Sequence, residues 1–215
     1  MATPLLLGHR GARASRGIAE NTPASFDLAL QHGCDGFEFD VRRSSCGKAV
    51  ICHDARIKGV DVAEAGCTEL KHLPLLEDVL ARYSTRAFLD IELKVPGLES
   101  PLLLALQEHP PERGYVVSSF LPEVLTGLRT RSPNLTLGLI CDDKKQLARW
   151  RELPVDYVIA HQSLINAALV RKLHDAGKTV LAWTVNAAAS MRRLAGWNVD
   201  GIISDQTQRL VNAFR

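Results

Sequence analysis

Eight times along the chain a short apolar run gives way to a longer amphipathic one. The apolar runs fall near residues 4–8, 35–41, 86–92, 114–119, 134–140, 155–160, 178–184 and 200–204 and read as strands. The segments between them predict helices near 22–33, 74–83, 99–109, 121–131, 142–152, 163–176, 186–195 and 205–213. Strands separated by helix-length crossovers pair in parallel rather than as hairpins. Two architectures remain, an open doubly wound sheet and a closed (β/α)8 barrel, and eight strand–helix pairs favour the α/β barrel (TIM barrel). No Gly-x-Gly-x-x-Gly turn follows the first strand, which weakens a dinucleotide-binding open sheet. No linker or composition break divides the 215 residues, so a single domain spanning 1–215 is expected.

One segment breaks the alternation. "AVICHD" at 49–54 follows the second strand too soon for a crossover helix, so the spacing predicts a hairpin turning near Ser45-Cys46-Gly47. Pairing around that turn sets His53 opposite Asp40. The hairpin reads as an excursion above the barrel mouth and not as a ninth barrel strand.

Composition narrows the partners. A net charge of +2 is too balanced for nucleic acid or an anionic membrane to be the main partner, and clusters such as Arg42-Arg43 and Arg192-Arg193 read as solvated surface. No apolar run approaches the length of a membrane span, and the first residues lack the pattern of a signal peptide. The five cysteines, 34, 46, 52, 67 and 141, are odd in number and show no Cys-x-x-Cys spacing. They argue against zinc and a disulfide framework, and for reduced thiols in a cytoplasmic protein.

The chemistry lies at strand ends. In "GFEFDV", Glu38 and Asp40 are two apart on a strand and share a face, with Phe39 on the other. Two buried acids on one face need compensating charge, and oxygen-only ligands suit magnesium, calcium or manganese better than zinc. "FLDIELK" repeats the pattern, with Asp90, Glu92 and Lys94 on one face. Glu92 is a natural third ligand, and Lys94 is placed to meet an anion. Asp90 could pair with an interior base near the barrel floor. An isolated Glu-x-Asp is more often a salt-bridge partner; two acid-bearing strands in one barrel favour a site.

Of seven histidines, His32, His72, His109 and His174 fall in helices or loops and read as surface or structural. His9 and His53 each end an apolar strand and precede a charged residue, so a facing acid–base pair is expected. Arg10 offers a guanidinium fork suited to phosphate, or else an ordinary ion pair with Glu20. His161 ends the sixth strand and stands as a possible substrate-side group.

The order His9-Arg10, Glu20-Asn21, Glu38-Phe39-Asp40, His53-Asp54 resembles the glycerophosphodiester phosphodiesterase family, and "LDIELK", "SSF", "AWTVN" and "VDGIISD" extend the likeness over nearly the whole chain. The resemblance implies a (β/α)8 barrel that hydrolyses glycerophosphodiesters to glycerol 3-phosphate and an alcohol such as choline or ethanolamine. It implies His9 and His53 as the acid–base pair, and Glu38, Asp40 and Glu92 as ligands of one divalent cation, magnesium or calcium. Arg10 and Lys94 would hold the phosphate. Phe120 and Trp183 would shape the alcohol pocket. Asn21 or Thr22 can cap the first helix, the resemblance implying Asn21, and Glu20 would orient His9, Arg10 or a metal-bound water. The segment after His53-Asp54 is shorter than in many members, which implies an open mouth. Rival readings are a lysophospholipase D-type enzyme, a magnesium-dependent barrel lyase or aldolase, and a non-catalytic binding module.

Overall fold

In the computed structural model, which describes residues 3–215, the chain opens with β1 (Leu5–His9), α1 (Pro23–Gln31) and β2 (Gly36–Arg43). The hairpin partner β3 (Ala49–Ile51) follows, then a two-stranded ribbon of β4 (Arg56–Ile57) and β5 (Val60–Asp61). Next come α2 (Leu76–Tyr83), β6 (Phe88–Leu93), α3 (Glu99–Glu108), β7 (Tyr115–Ser119), α4 (Pro122–Arg131), β8 (Leu137–Cys141) and α5 (Lys144–Ala148). The last elements are β9 (Tyr157–His161), α6 (Ala167–Asp175), β10 (Thr179–Trp183), α7 (Ala188–Gly196), β11 (Gly201–Ser204) and α8 (Thr207–Asn212).

Parallel pairings run β1-β11-β10-β9-β8-β7-β6-β2, and β1 also pairs with β2, which closes the ring. The expected eight-stranded barrel is therefore the fold. β3 lies outside the ring, antiparallel to β2, as the hairpin reading requires. The register differs by one residue from expectation. Val41 faces Ile51, and the Cys52 N–H donates to the Asp40 carbonyl at 3.0 Å, so Cys52 rather than His53 stands opposite Asp40. The tight turn is the cause: it folds at Ser44–Lys48, with Gly47 at a φ of 82°. The ribbon β4–β5 was not expected. Among the described residues no helix is long and apolar enough to cross a membrane.

Period-two alternation in the strands builds two cores. Inward-facing Leu7, Val116, Ile140, Ile159, Leu181 and Ile203 fill the barrel. On the outer side of β2, Phe37 stacks on Phe26 of α1 at 4.2 Å, and Tyr83 of α2 meets Phe37 edge-on at 5.0 Å. Burying each such ring contributes about 1.5–3 kcal/mol, which pins the strand bearing the acids. α1 starts where Thr22 caps the Ser25 N–H and Pro23 sits in the first turn.

The cysteine expectation is overturned. Cys46, at the hairpin turn, is disulfide-bonded to Cys67, with Cα atoms 5.9 Å apart, while Cys34, Cys52 and Cys141 are free and buried. Spacing along the chain carried no sign of this, because the segment after the ribbon folds back over the turn. Ser45 bonds the Ala65 carbonyl there through both its N–H and its hydroxyl. The cysteines thus give no argument for a reducing compartment. Closing a loop of this length stabilises by about 3 kcal/mol in the chain-entropy account. A Cys46→Ser/Cys67→Ser variant is expected to melt several degrees lower than the parent, with no response to reductant. An unchanged melting temperature would show that the Ser45–Ala65 bonds suffice.

Candidate active site

Parallel register brings the acids together. His9 of β1 pairs with Glu38 of β2, Glu38 with Asp90 of β6, and Asp40 with Glu92. Side chains of like parity on neighbouring strands point to the same face, here the barrel axis. Glu38, Asp40 and Glu92 are all buried, and each offers one carboxylate oxygen within 4.8 Å of the other two. The cluster stands at the carboxyl ends of the strands, above the apolar floor of Ile140, Ile159 and Ile203.

Four buried acids face two cations. Burial, with Asp40, Glu92 and Asp90 nearby, holds the Glu38 carboxyl well above the usual carboxylate range. Burial and Asp40 push Glu92 up to about 7, against the pull of Lys94. Burial also raises Asp90 to about 7, although Ser118 Oγ donates to its Oδ1 at 2.6 Å. Among the described residues no interior base meets Asp90. Ser118, the β7 residue level with Glu92, supplies a serine hydroxyl instead. Asp40 goes the other way: burial opposes its charge, but Lys94, Arg10 and the Asn21 amide outweigh it and hold the carboxyl low.

Lys94 Nζ lies 2.6 Å from Glu92 Oε1 and 3.3 Å from Asp40 Oδ1. Arg10 donates from Nη1 to Glu20 Oε1 at 2.7 Å, and its Nε lies 3.1 Å from Asp40 Oδ2. Arg10 is ion-paired with Glu20 and also lines the pocket. Glu20 bonds Arg10 and Arg13. Arg10 has a left-handed φ of 52°, which turns its backbone N–H onto Glu38 Oε2 at 3.0 Å. Gly11 follows at a φ of 77°, and a Cβ there would lie 2.5 Å from the Ser25 backbone. Asn21 does not cap α1. Its own φ of 56° aims the side chain inward, where Nδ2 donates to Asp40 Oδ2 at 2.7 Å, and Thr22 takes the cap.

His9 Nδ1 sits 2.7 Å from Asp205 Oδ1, and Nε2 lies 3.8 Å from Glu38 Oε2. Asp205 was not singled out from the sequence. It follows β11, which closes the ring beside β1, and an acid at a strand's carboxyl end was the available signal. Burial opposes its charge, but the bonds from His9 and from Asn186 Nδ2, the latter 2.7 Å long, bring its carboxyl down to about 2. The ionised carboxylate only accepts, so Nδ1 carries the ring proton and Nε2 is the free nitrogen. His53 Nδ1 lies 2.8 Å from Asp54 Oδ1 and has the same polarity.

His9, Arg10, Glu38, His53, Glu92 and Lys94 line one pocket of ≈ 140 Å³ with Phe120 and Trp183. Phe120 and Trp183 meet edge to face at 5.6 Å, and Lys94 Nζ stands 5.7 Å from the Phe120 ring centre. His161 packs on Trp183 at 5.7 Å and bonds Ser163, but it does not line the pocket. Arg42, expected in solvent, is half-buried and bonded to the His53 backbone.

The residues present fit a divalent cation. Among the described residues Glu38 Oε1 and Asp90 Oδ2 are buried without hydrogen-bond partners, and Asp40 Oδ1 has the ion-pair approach of Lys94 but no hydrogen bond, so the site has unsatisfied hard oxygens and more acids than cations.

The model of the glycerophosphoryl diester phosphodiesterase family matches residues 9–103 and 71–209 of the chain. A glycerophosphodiester phosphodiesterase of Caldanaerobacter subterraneus is 28% identical, with 98% of each chain aligned. One from Bacillus subtilis is also 28% identical, over 94% of this chain and 83% of its own. Among solved structures, an Oleispira antarctica phosphodiesterase in complex with the product sn-glycerol-3-phosphate superposes with a TM-score of 0.86 and 26% identity, covering 98% of this chain and 96% of that one.

Proposed function

The chain belongs to the glycerophosphoryl diester phosphodiesterase family, and on that premise we propose that it hydrolyses glycerophosphodiesters to glycerol 3-phosphate and an alcohol in the pocket above β1, β2 and β6. One observation carries the reading: the two strand-end histidines line the same pocket as Glu38 and Glu92, whose carboxylates cluster with the buried Asp40. A magnesium-dependent lyase would use the acids but has less need of two histidines beside Arg10. A binding module would not need both imidazoles held with Nε2 free.

Glu38, Asp40 and Glu92 would hold one divalent cation, magnesium or calcium. When bound, such a cation neutralises phosphate oxygen charge and lowers the pKa of an attached hydroxyl. Arg10 and Lys94 flank the cluster and place their positive charge where a phosphodiester's non-bridging oxygens would lie, so they bind the anion and stabilise the charge that grows on it. His9 and His53 share the proton work. One Nε2 accepts the proton of the attacking hydroxyl, either from water or from the substrate's own 2-hydroxyl, the latter forming a cyclic phosphate that water then opens to glycerol 3-phosphate. The other imidazole, protonated, delivers a proton to the departing alcohol oxygen as the P–O bond breaks. Asp205 and Asp54 accept from Nδ1, keeping each ring in the tautomer that this exchange requires. Phe120 and Trp183 give the alcohol side an apolar wall.

Purified protein incubated with glycerophosphocholine and a millimolar divalent cation is expected to release glycerol 3-phosphate, measured by an enzyme-coupled assay. Excess EDTA is expected to stop it. Release of choline from lysophosphatidylcholine but not from glycerophosphocholine would replace the reading with a lipid-directed one. No release from either substrate would sink it.

A further inference from the structure

The two histidines are held in unlike ways. His9 is 7% exposed and bonds Asp205, which is itself fixed by Asn186. The side-chain partner of His53 is Asp54, the next residue, whose side chain is 76% exposed. That bond travels with the histidine and cannot fix it relative to the barrel. β3 ends at Ile51, and the last ladder bond from this segment runs from the Cys52 N–H to Asp40. Beyond it, one hydrogen bond among the described residues ties the His53 peptide to the frame: Arg42 Nε donates to the His53 carbonyl oxygen at 2.7 Å.

Arg42 is suited to this. It shares the inward face of β2 with Glu38 and Asp40, one step beyond the carboxylate cluster. β2 is a barrel strand pinned by the Phe26–Phe37–Tyr83 packing, so its side chains report the barrel's position. The disulfide closes residues 46–67 into a loop that contains His53, but it anchors that loop to itself, not to the barrel.

We propose that Arg42 is a positioning residue for His53, setting the imidazole's place over the pocket through the backbone carbonyl. The inference rests on the reading of His53 as an acid–base group. The guanidinium does not need to touch substrate to act. It limits how far the His53 peptide can swing, and a displacement of about 1 Å at a reacting group can cost on the order of a hundredfold in rate.

The test measures kcat and KM on glycerophosphocholine for Arg42→Ala, Arg42→Gln and Arg42→Lys, each in the parent and in a His53→Ala background. Arg42→Ala is expected to lower kcat about 10- to 100-fold with KM within about threefold of the parent. Arg42→Lys and Arg42→Gln keep a donor on a long side chain and are expected to recover part of the loss while retaining the parent melting temperature. In the His53→Ala background Arg42→Ala is expected to cost nothing further, because the group it positions is gone. An unchanged kcat in Arg42→Ala, alongside a His53→Ala protein of strongly lowered but measurable kcat, would overturn the positioning role alone. A raised KM at unchanged kcat would make Arg42 a substrate contact and also overturn it, as would an equal loss in both backgrounds. Full activity in His53→Ala would remove the acid–base reading itself.

Discussion

Replacing His9 by alanine is expected to lower kcat by about two to four orders of magnitude, the range typical of a lost general acid or base. The effect should fall on kcat and kcat/KM together, because the imidazole's proton transfer belongs to the transition state rather than to substrate binding. Structure gives the size its reason. His9 is buried, its Nδ1 proton is committed to an ionised Asp205, and Nε2 points to the carboxylate cluster. The fold should survive: Asp205 keeps its bond from Asn186 and its approach from Arg13, so the substitution strands no charge. Asp205→Asn is the companion. An amide can donate to Nδ1 and so favours the wrong tautomer, with the proton on Nε2. Its loss should vanish when His9 is already alanine. Matching circular dichroism and melting temperatures would establish folding, and a His9→Ala protein with more than about half the parent kcat would exclude His9 from proton transfer.

Much of this was legible in the chain. Period two put Glu38 beside Asp40 on one face and Glu92 beside Lys94 on another strand, and the eightfold alternation required those strands to converge. Register then did the rest, since parallel pairing sets Asp40 level with Glu92. What was not legible has a common cause. Asp205 and Cys67 meet partners far away in sequence, and no periodic pattern marks them. Asn21 resembles a helix cap by composition, but its left-handed backbone turns the amide to Asp40 and leaves the cap to Thr22. Arg42 sits beside Arg43 and looked like solvated charge, yet alternation sends one inward and the other out, and only the hairpin's true register brings the His53 carbonyl to it. A slip of one residue in an antiparallel pair was enough to hide that contact.

Removing divalent cations is expected to lower the melting temperature as well as stop turnover, and the loss of stability should grow with pH. Without a cation, Glu92 and Asp90 are held near 7, and Glu38 is also raised, chiefly by burial. These carboxyls ionise at about 4 in an unfolded chain. Between that pH and about 7 the folded protein therefore binds more protons than the unfolded one, and its stability must fall as pH rises. Asp40 does not offset this, because its carboxyl is held below its ordinary value and is ionised in both states across that window. A divalent cation competes with the same protons, so its affinity for the three carboxylates climbs as they ionise. At 100 times its dissociation constant a cation stabilises by about 2.7 kcal/mol, or roughly 5–10 °C for a chain of this size. Melting curves at pH 5 and pH 8, with EDTA or with millimolar magnesium or calcium, should show a small cation effect at the lower pH and a large one at the higher. Glu38→Gln replaces an ionisable ligand with a neutral one and should flatten that response while leaving a folded protein. Equal melting temperatures with and without cation at pH 8 would mean that Lys94 and Arg10 alone compensate the acids, and the cation site would have to be given up.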